Sequence, residues 1–162
     1  MFLRIARSRI TTFLLPIALV ALFFSAASQA VAEPSDIVVE RPWARASIGV
    51  NRPGAAYFEI RNGGDETIAL VSVETDIAAM PQVHQTTTDA NGVSRMGMVE
   101  RLEIAPRETR ALEPSGAHVM LMKLQRPMKE GERFALKLHF ESGKAVTVEV
   151  PIRGLAARGP DG

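Results

Sequence analysis

Cysteine is absent from all 162 residues. Without a thiol there is no disulfide to staple the fold and no thiolate to make a blue-copper or zinc-finger site. The residue that would carry a lipid anchor behind an export signal is missing too. The chain also lacks a run of basic residues. That removes the stripe of Lys and Arg with which a nucleic-acid binder neutralises phosphates, so no nucleic-acid partner is expected. Beyond the amino terminus no segment keeps a 3.6-residue apolar period, so the rest of the chain carries no helical signature.

The amino terminus itself is unlike the remainder. Arg4, Arg7 and Arg9 precede an apolar run over residues 10–24, and small residues follow up to Ala32. This three-part layout is that of a secretory signal peptide over residues 1–32, with cleavage fitting after Ala30 or Ala32. The apolar run is shorter than the roughly 20 residues a spanning helix requires, so no membrane attachment is expected once the signal is removed. Removing the three arginines from 19 Lys and Arg leaves 16 against 18 Asp and Glu, a net charge near −2. The expectation is one exported, near-neutral, monomeric domain over residues 33–152. The last ten residues, 153–162, hold little apolar content and read as a flexible tail.

Short alternating runs separated by turn residues fill the domain. Strands are predicted over 36–40, 55–61, 67–74, 82–88, 94–99, 108–112, 117–124, 132–140 and 145–151, with Gly, Asn, Pro and Ser between them. Phe134, Leu136, Leu138 and Phe140 share one face, as do Val146, Val148 and Val150, so one face of each strand is core. The fold class this predicts is all-β, a Greek-key sandwich or small barrel of cupredoxin-like or immunoglobulin-like type.

Chemistry concentrates in two places. In the strand over 117–124, alternation puts His118, Met120 and Met122 on one side and Val119 and Leu121 on the other. A buried strand with gap-filling Met is the simpler reading of that segment alone. His84 and Met96 flank a hairpin containing Asn91 and Gly92, and there the register decides. A two-residue turn sets Thr87 opposite Met96 and points His84 to the other face. A three-residue loop over 90–92, with Gly92 left-handed, sets Thr86 opposite Met96 and brings His84 and Met96 to one face. A shared metal site requires the second register, and in it Met98 falls directly opposite His84, so geometry does not choose between Met96 and Met98. Thioether sulfur is soft and uncharged and suits Cu(I), while neutral imidazole adds stronger donation. The candidate ligands at this point are His84, His118 and Met120, with either Met96 or Met98 as the fourth.

The arrangement resembles the PCu(A)C family of periplasmic copper chaperones, whose signature is His, about ten residues, Met, twenty-one residues, His-x-Met. Here eleven residues separate His84 from Met96 and twenty-one separate Met96 from His118-Val119-Met120. Residues 42–45, 55–62, 114–122 and 131–134 also resemble the family's pattern, while Gln85 and Lys123 depart from it. The resemblance implies His84, Met96, His118 and Met120 as the metal ligands, with Met98 the fallback for Met96, in a non-catalytic Cu(I) carrier of the periplasm. It also implies an acceptor, the CuA centre of cytochrome c oxidase subunit II, with Sco-type chaperones as co-workers. A protein that sequesters copper without delivering it is the alternative. Some relatives carry a His- and Met-rich carboxyl extension; residues 153–162 contain neither, so one Cu(I) per chain is expected.

Other candidates have plainer readings. His139 reads as an exposed histidine on a polar face, Met80 as packing at a strand start, Met128 as filling a core edge and Trp43 as core. Met122 shares the ligand face and stands as a possible outer or exchange ligand.

Overall fold

Alternation of apolar and polar side chains builds most of the strands in residues 36–162, the part of the chain that the computed structural model describes. The signal-peptide assignment lies outside the described residues. The strands are β1 (Ile37–Arg45), β2 (Gly54–Asn62), β3 (Ile68–Glu74), β4 (Ala78–Thr88), β5 (Ser94–Met98), β6 (Leu102–Ile104), β7 (Thr109–Leu112), β8 (Ala117–Leu124), β9 (Arg133–Phe140) and β10 (Ala145–Arg153). Among the described residues no helix is long and apolar enough to cross a membrane.

Neighbouring strands run in the order β5, β4, β8, β2, β1, β10, β9, β3, β6, with β7 also on β2. β10 is the joint between the two arms of this path. Residues 145–151 pair antiparallel with β9, and its last two residues, Ile152 and Arg153, pair parallel with Ala44 and Arg45 of β1. The arms close on one another: Phe58, Ile60, Val119 and Leu121 from one belong to the same buried cluster as Leu136, Leu138 and Phe140 from the other. The outer strands β5 and β6 end the path without pairing to each other, which makes this an open sandwich of the all-β class the sequence predicts.

Differences from the predicted strands have local causes. β1 continues past residue 40 because a bulge absorbs Arg41, at φ 51°, and Pro42, after which Trp43 resumes pairing with Tyr57. β4 begins at Ala78 and runs through Pro81. The odd-numbered positions of β4 turn their backbone groups toward β5, as the Val83 carbonyl does in accepting from the Val99 N–H. β5 stops opposite His84, so the N–H that proline lacks is not needed there. β6, three residues long, is too short for alternation to reveal.

Residues 154–162 follow β10, which takes in Arg153. Ala157 is buried against Trp43 and Tyr57, and Arg45 Nε donates to its carbonyl at 2.6 Å. One small apolar side chain and one backbone acceptor contribute to holding this segment against the domain. His139 is half-buried, with Nε2 3.1 Å from Glu74 Oε2. Met128 is fully buried, as a core-filling methionine should be.

Candidate metal centre

The hairpin between β4 and β5 closes through the three-residue loop. The Asp89 N–H donates to the Val93 carbonyl at 3.0 Å, Gly92 lies at φ 81°, and Thr86 stands opposite Met96. Asp89 explains the choice of register. Its Oδ1 accepts from the Asn91 and Val93 amides at 2.9 and 3.0 Å, holding the chain in an Asx turn that a two-residue loop would not form. The three-residue register sets Asp89 opposite Val93, and an Asp two residues before Asn-Gly is the sequence signal for the carboxylate that stabilises it.

With this register β5, β4 and β8 present one continuous face. His84 lies opposite Met98 on one side and His118 on the other. One rung toward the hairpin, Met96 stands opposite Thr86. One rung the other way, Met120 stands opposite Gln82, and a further rung along, Met122 stands opposite Met80. Of the six described methionines, five therefore share this face, and only Met128 lies in the core. That distribution inverts the usual burial of methionine. His118 is 4% exposed, whereas Met96 and Met98 are about half exposed, at 51% and 52%, so donors run from the buried interior of the sheet to its open edge.

Both imidazoles have a ring nitrogen free to donate its lone pair. His118 Nδ1 donates to the Gly116 carbonyl at 3.1 Å, so that Nε2 is the nitrogen with the lone pair when the ring is neutral. His84 Nε2 lies 3.4 Å from Gln82 Oε1, while its Nδ1 is buried with no hydrogen-bond partner. An orphaned buried nitrogen is costly in a site that binds nothing and useful in one that binds a cation. The ring centroids are 6.3 Å apart. Burial, reinforced by the nearby His118, lowers the His84 pKa from 6.5 and so favours the neutral, ligating form.

Behind His118 stands an aromatic wall. Tyr57 packs on it with centroids 6.4 Å apart, and Trp43 packs on Tyr57 at 4.5 Å. The cation over Trp43 and Tyr57 is Arg45, at 5.8 and 5.9 Å, so the lone Trp is a buried support with a partner of its own. Burial raises the Tyr57 pKa, opposed by Arg45, and the phenol stays neutral. Among the described residues no three His, Cys, Asp or Glu side chains cluster closely enough to hold a metal. Beside the two imidazoles this face offers five thioether sulfurs against the neutral oxygens of Gln82 and Thr86, and a sulfur-rich donor set of that kind favours a soft cation over Zn(II) or Mg(II).

Fold and face together define a class: small all-β domains that offer imidazole and thioether donors on an open sheet. The chain belongs to the LpqE-like family, whose model, described as "Putative lipoprotein LpqE-like", matches residues 37–152. It is 27% identical to "Putative lipoprotein Lxx21020" of Leifsonia xyli subsp. xyli over 135 residues, covering 82% of this chain and 80% of that one. Among solved structures, CuI-DR1885 from Deinococcus radiodurans is 34% identical, with 78% of this chain and 83% of that chain covered and a TM-score of 0.57. The copper-bound PCuAC domain from PmoF2, 21% identical, shares the fold with a TM-score of 0.61 over 74% of this chain and 93% of its own. The PCu(A)C resemblance carried by the His and Met spacing is thus matched by structural similarity to PCuAC domains.

Proposed function

We propose that this protein is an exported Cu(I) carrier that binds one ion tightly through His84, Met96, His118 and Met120 and releases it by ligand exchange at the exposed edge of β5. The observation that carries the reading is the register. It places His84 between His118 and the β5 methionines on one face, with the free nitrogen of each ring accounted for. The donors are all neutral, so Cu(I) keeps its charge and no thiol is at risk of oxidation. For β5 the motif spacing selects Met96, and the rung geometry sets Met98 closest to His84. Copper-bound relatives of this fold support the choice of ion. The description of this chain's own LpqE-like family as a putative lipoprotein and the signal-like residues 1–32 support export to the periplasm, and the sequence contains no cysteine to bear a lipid. We further propose, from the PCu(A)C resemblance, delivery to the CuA centre of cytochrome c oxidase subunit II alongside Sco-type chaperones.

An anaerobic competition titration with a chromophoric Cu(I) chelator tests the site. His84→Ala, His118→Ala and Met120→Ala should each weaken binding by more than the roughly 10–100-fold that loss of a supporting outer partner costs. Met96→Ala should do so and Met98→Ala should not; the reverse result would move the β5 ligand to Met98. If none of the five substitutions alters affinity, the copper site is wrong. Mixing the Cu(I)-loaded protein with a copper-free CuA domain tests delivery: a carrier loads the domain, and a sequestering protein retains the ion.

A further inference from the structure

The ladder of donors does not stop at the proposed centre. Counting outward from the rung of His84 and His118, Gln82 and Met120 come next, then Met80 and Met122 as a direct cross-strand pair. Directly opposed residues on neighbouring strands place their side chains in contact range, about 4.5–5.5 Å apart at Cβ. Two rungs along a strand span roughly 13 Å, too far for Met80 or Met122 to ligate an ion held between the histidines. Met120 lies one rung from each group.

Core packing does not account for this pair. Met80 is 37% exposed and Met122 half-buried, whereas Met128 shows what a core methionine looks like here, with no exposure. The next pair along the same two strands, Ala78 and Leu124, is buried. Between them Lys123 adopts φ 54°, so the regular alternation of β8 ends immediately after Met122. The thioether track therefore has a defined end, and Met80 and Met122 occupy it.

We propose that Met80 and Met122 form a second, weaker site for a soft monovalent cation, with Met120 able to turn toward either site and so link them. This inference rests on the proposed Cu(I) centre and extends it: the one-ion expectation then describes the tight site only. Thioethers alone bind less strongly than a set that includes imidazole, so the outer site fills after the inner one. Its openness to water on the Met80 side suits a station where an ion is first received or last held.

Ag(I), a redox-stable monovalent soft ion, is the probe, added as silver nitrate to the signal-free chain carrying 13C-methyl methionine and 15N histidine. The first equivalent should shift the ring nitrogens of His84 and His118 and the Met120 methyl. The second should shift the Met80 and Met122 methyls. The variant M80L/M122L, near-isosteric at partly exposed positions, should take the first equivalent with unchanged affinity and lose the second event. Met80 and Met122 methyls unmoved beyond one equivalent, or a second event surviving in M80L/M122L, would overturn the outer site while leaving the inner one intact. Unmoved histidine signals at the first equivalent would instead refute the inner centre on which the proposal rests.

Discussion

His84 and His118 face each other on adjacent strands, yet they differ in what surrounds them. His118 is buried beneath Tyr57 and tied to the Gly116 carbonyl; His84 is less covered and keeps one buried nitrogen without a partner. Burial first, and the neighbouring His118 second, lower the His84 pKa below 6.5. The neutral form is the one that binds metal, so protons compete at His84 only below that value. Cu(I) affinity in the wild type should accordingly show no loss from His84 protonation between about pH 8 and the ordinary imidazole value, and a steepening loss below it. The linked effect on stability has a definite sign. The unfolded chain binds this proton more readily than the folded one, so the stabilisation is complete above 6.5 and disappears as pH falls through the lower folded value. Urea unfolding of metal-free wild type and His84→Gln across this range checks it. The substituted protein should have the flatter profile, and equal slopes would show that His84 is not held neutral by the fold.

At the scale of elements, the hairpin of β4 and β5 determines whether thioethers join the histidines at all. All five residues of β5 are exposed, so no core contact sets its register. The turn does, through the two amides that Asp89 Oδ1 accepts. Asp89→Ala should cost about 2 kcal/mol of local order, the net worth of two typical hydrogen bonds, and weaken Cu(I) binding roughly thirtyfold. Asp89→Asn keeps the acceptor and should restore most of the affinity. Amide hydrogen exchange in β5, faster in the alanine variant alone, would tie the loss to the hairpin; equal exchange in both would break that link. The need for a three-residue loop was legible in the sequence as a condition on the metal site, because Asn91 and Gly92 announce a turn and period-two alternation does the rest. The loop length itself was not, since it depends on one carboxylate whose partners are backbone. The same limit applies to β1 and β4, where Pro42 and Pro81 read as strand ends. A bulge in one case and an unpaired edge in the other let the strand continue.

For the molecule as a whole, the sequence revealed the inner faces of β9 and β10 and the all-β class because burial on one face leaves an alternating mark in the longer strands. How the two arms join through β10 left none, for the parallel pairing of Ile152 and Arg153 with β1 is only two residues long, too short for alternation to mark. Nor did the seat of the carboxyl-terminal segment, whose hold on the domain is Ala157 and its carbonyl. That hold connects to the metal face through contacts already in place: Ala157 covers Trp43 and Tyr57, and Tyr57 backs His118. Removing residues 154–162 uncovers the ring pair and takes from Arg45 its backbone acceptor. If about 40 Å² of aromatic surface is exposed, the loss of stability is about 1 kcal/mol. Trp43 is the only tryptophan, so its fluorescence reports this site without interference. The truncated protein should emit at longer wavelength and unfold at lower urea. Its Cu(I) affinity should fall far less than in His118→Ala, because the ligands remain while only their support loosens. An unshifted emission maximum would show that the segment does not cover Trp43 in solution. A loss of affinity as large as that of a ligand substitution would mean that the wall behind His118, and not the register of the strands, holds the site together.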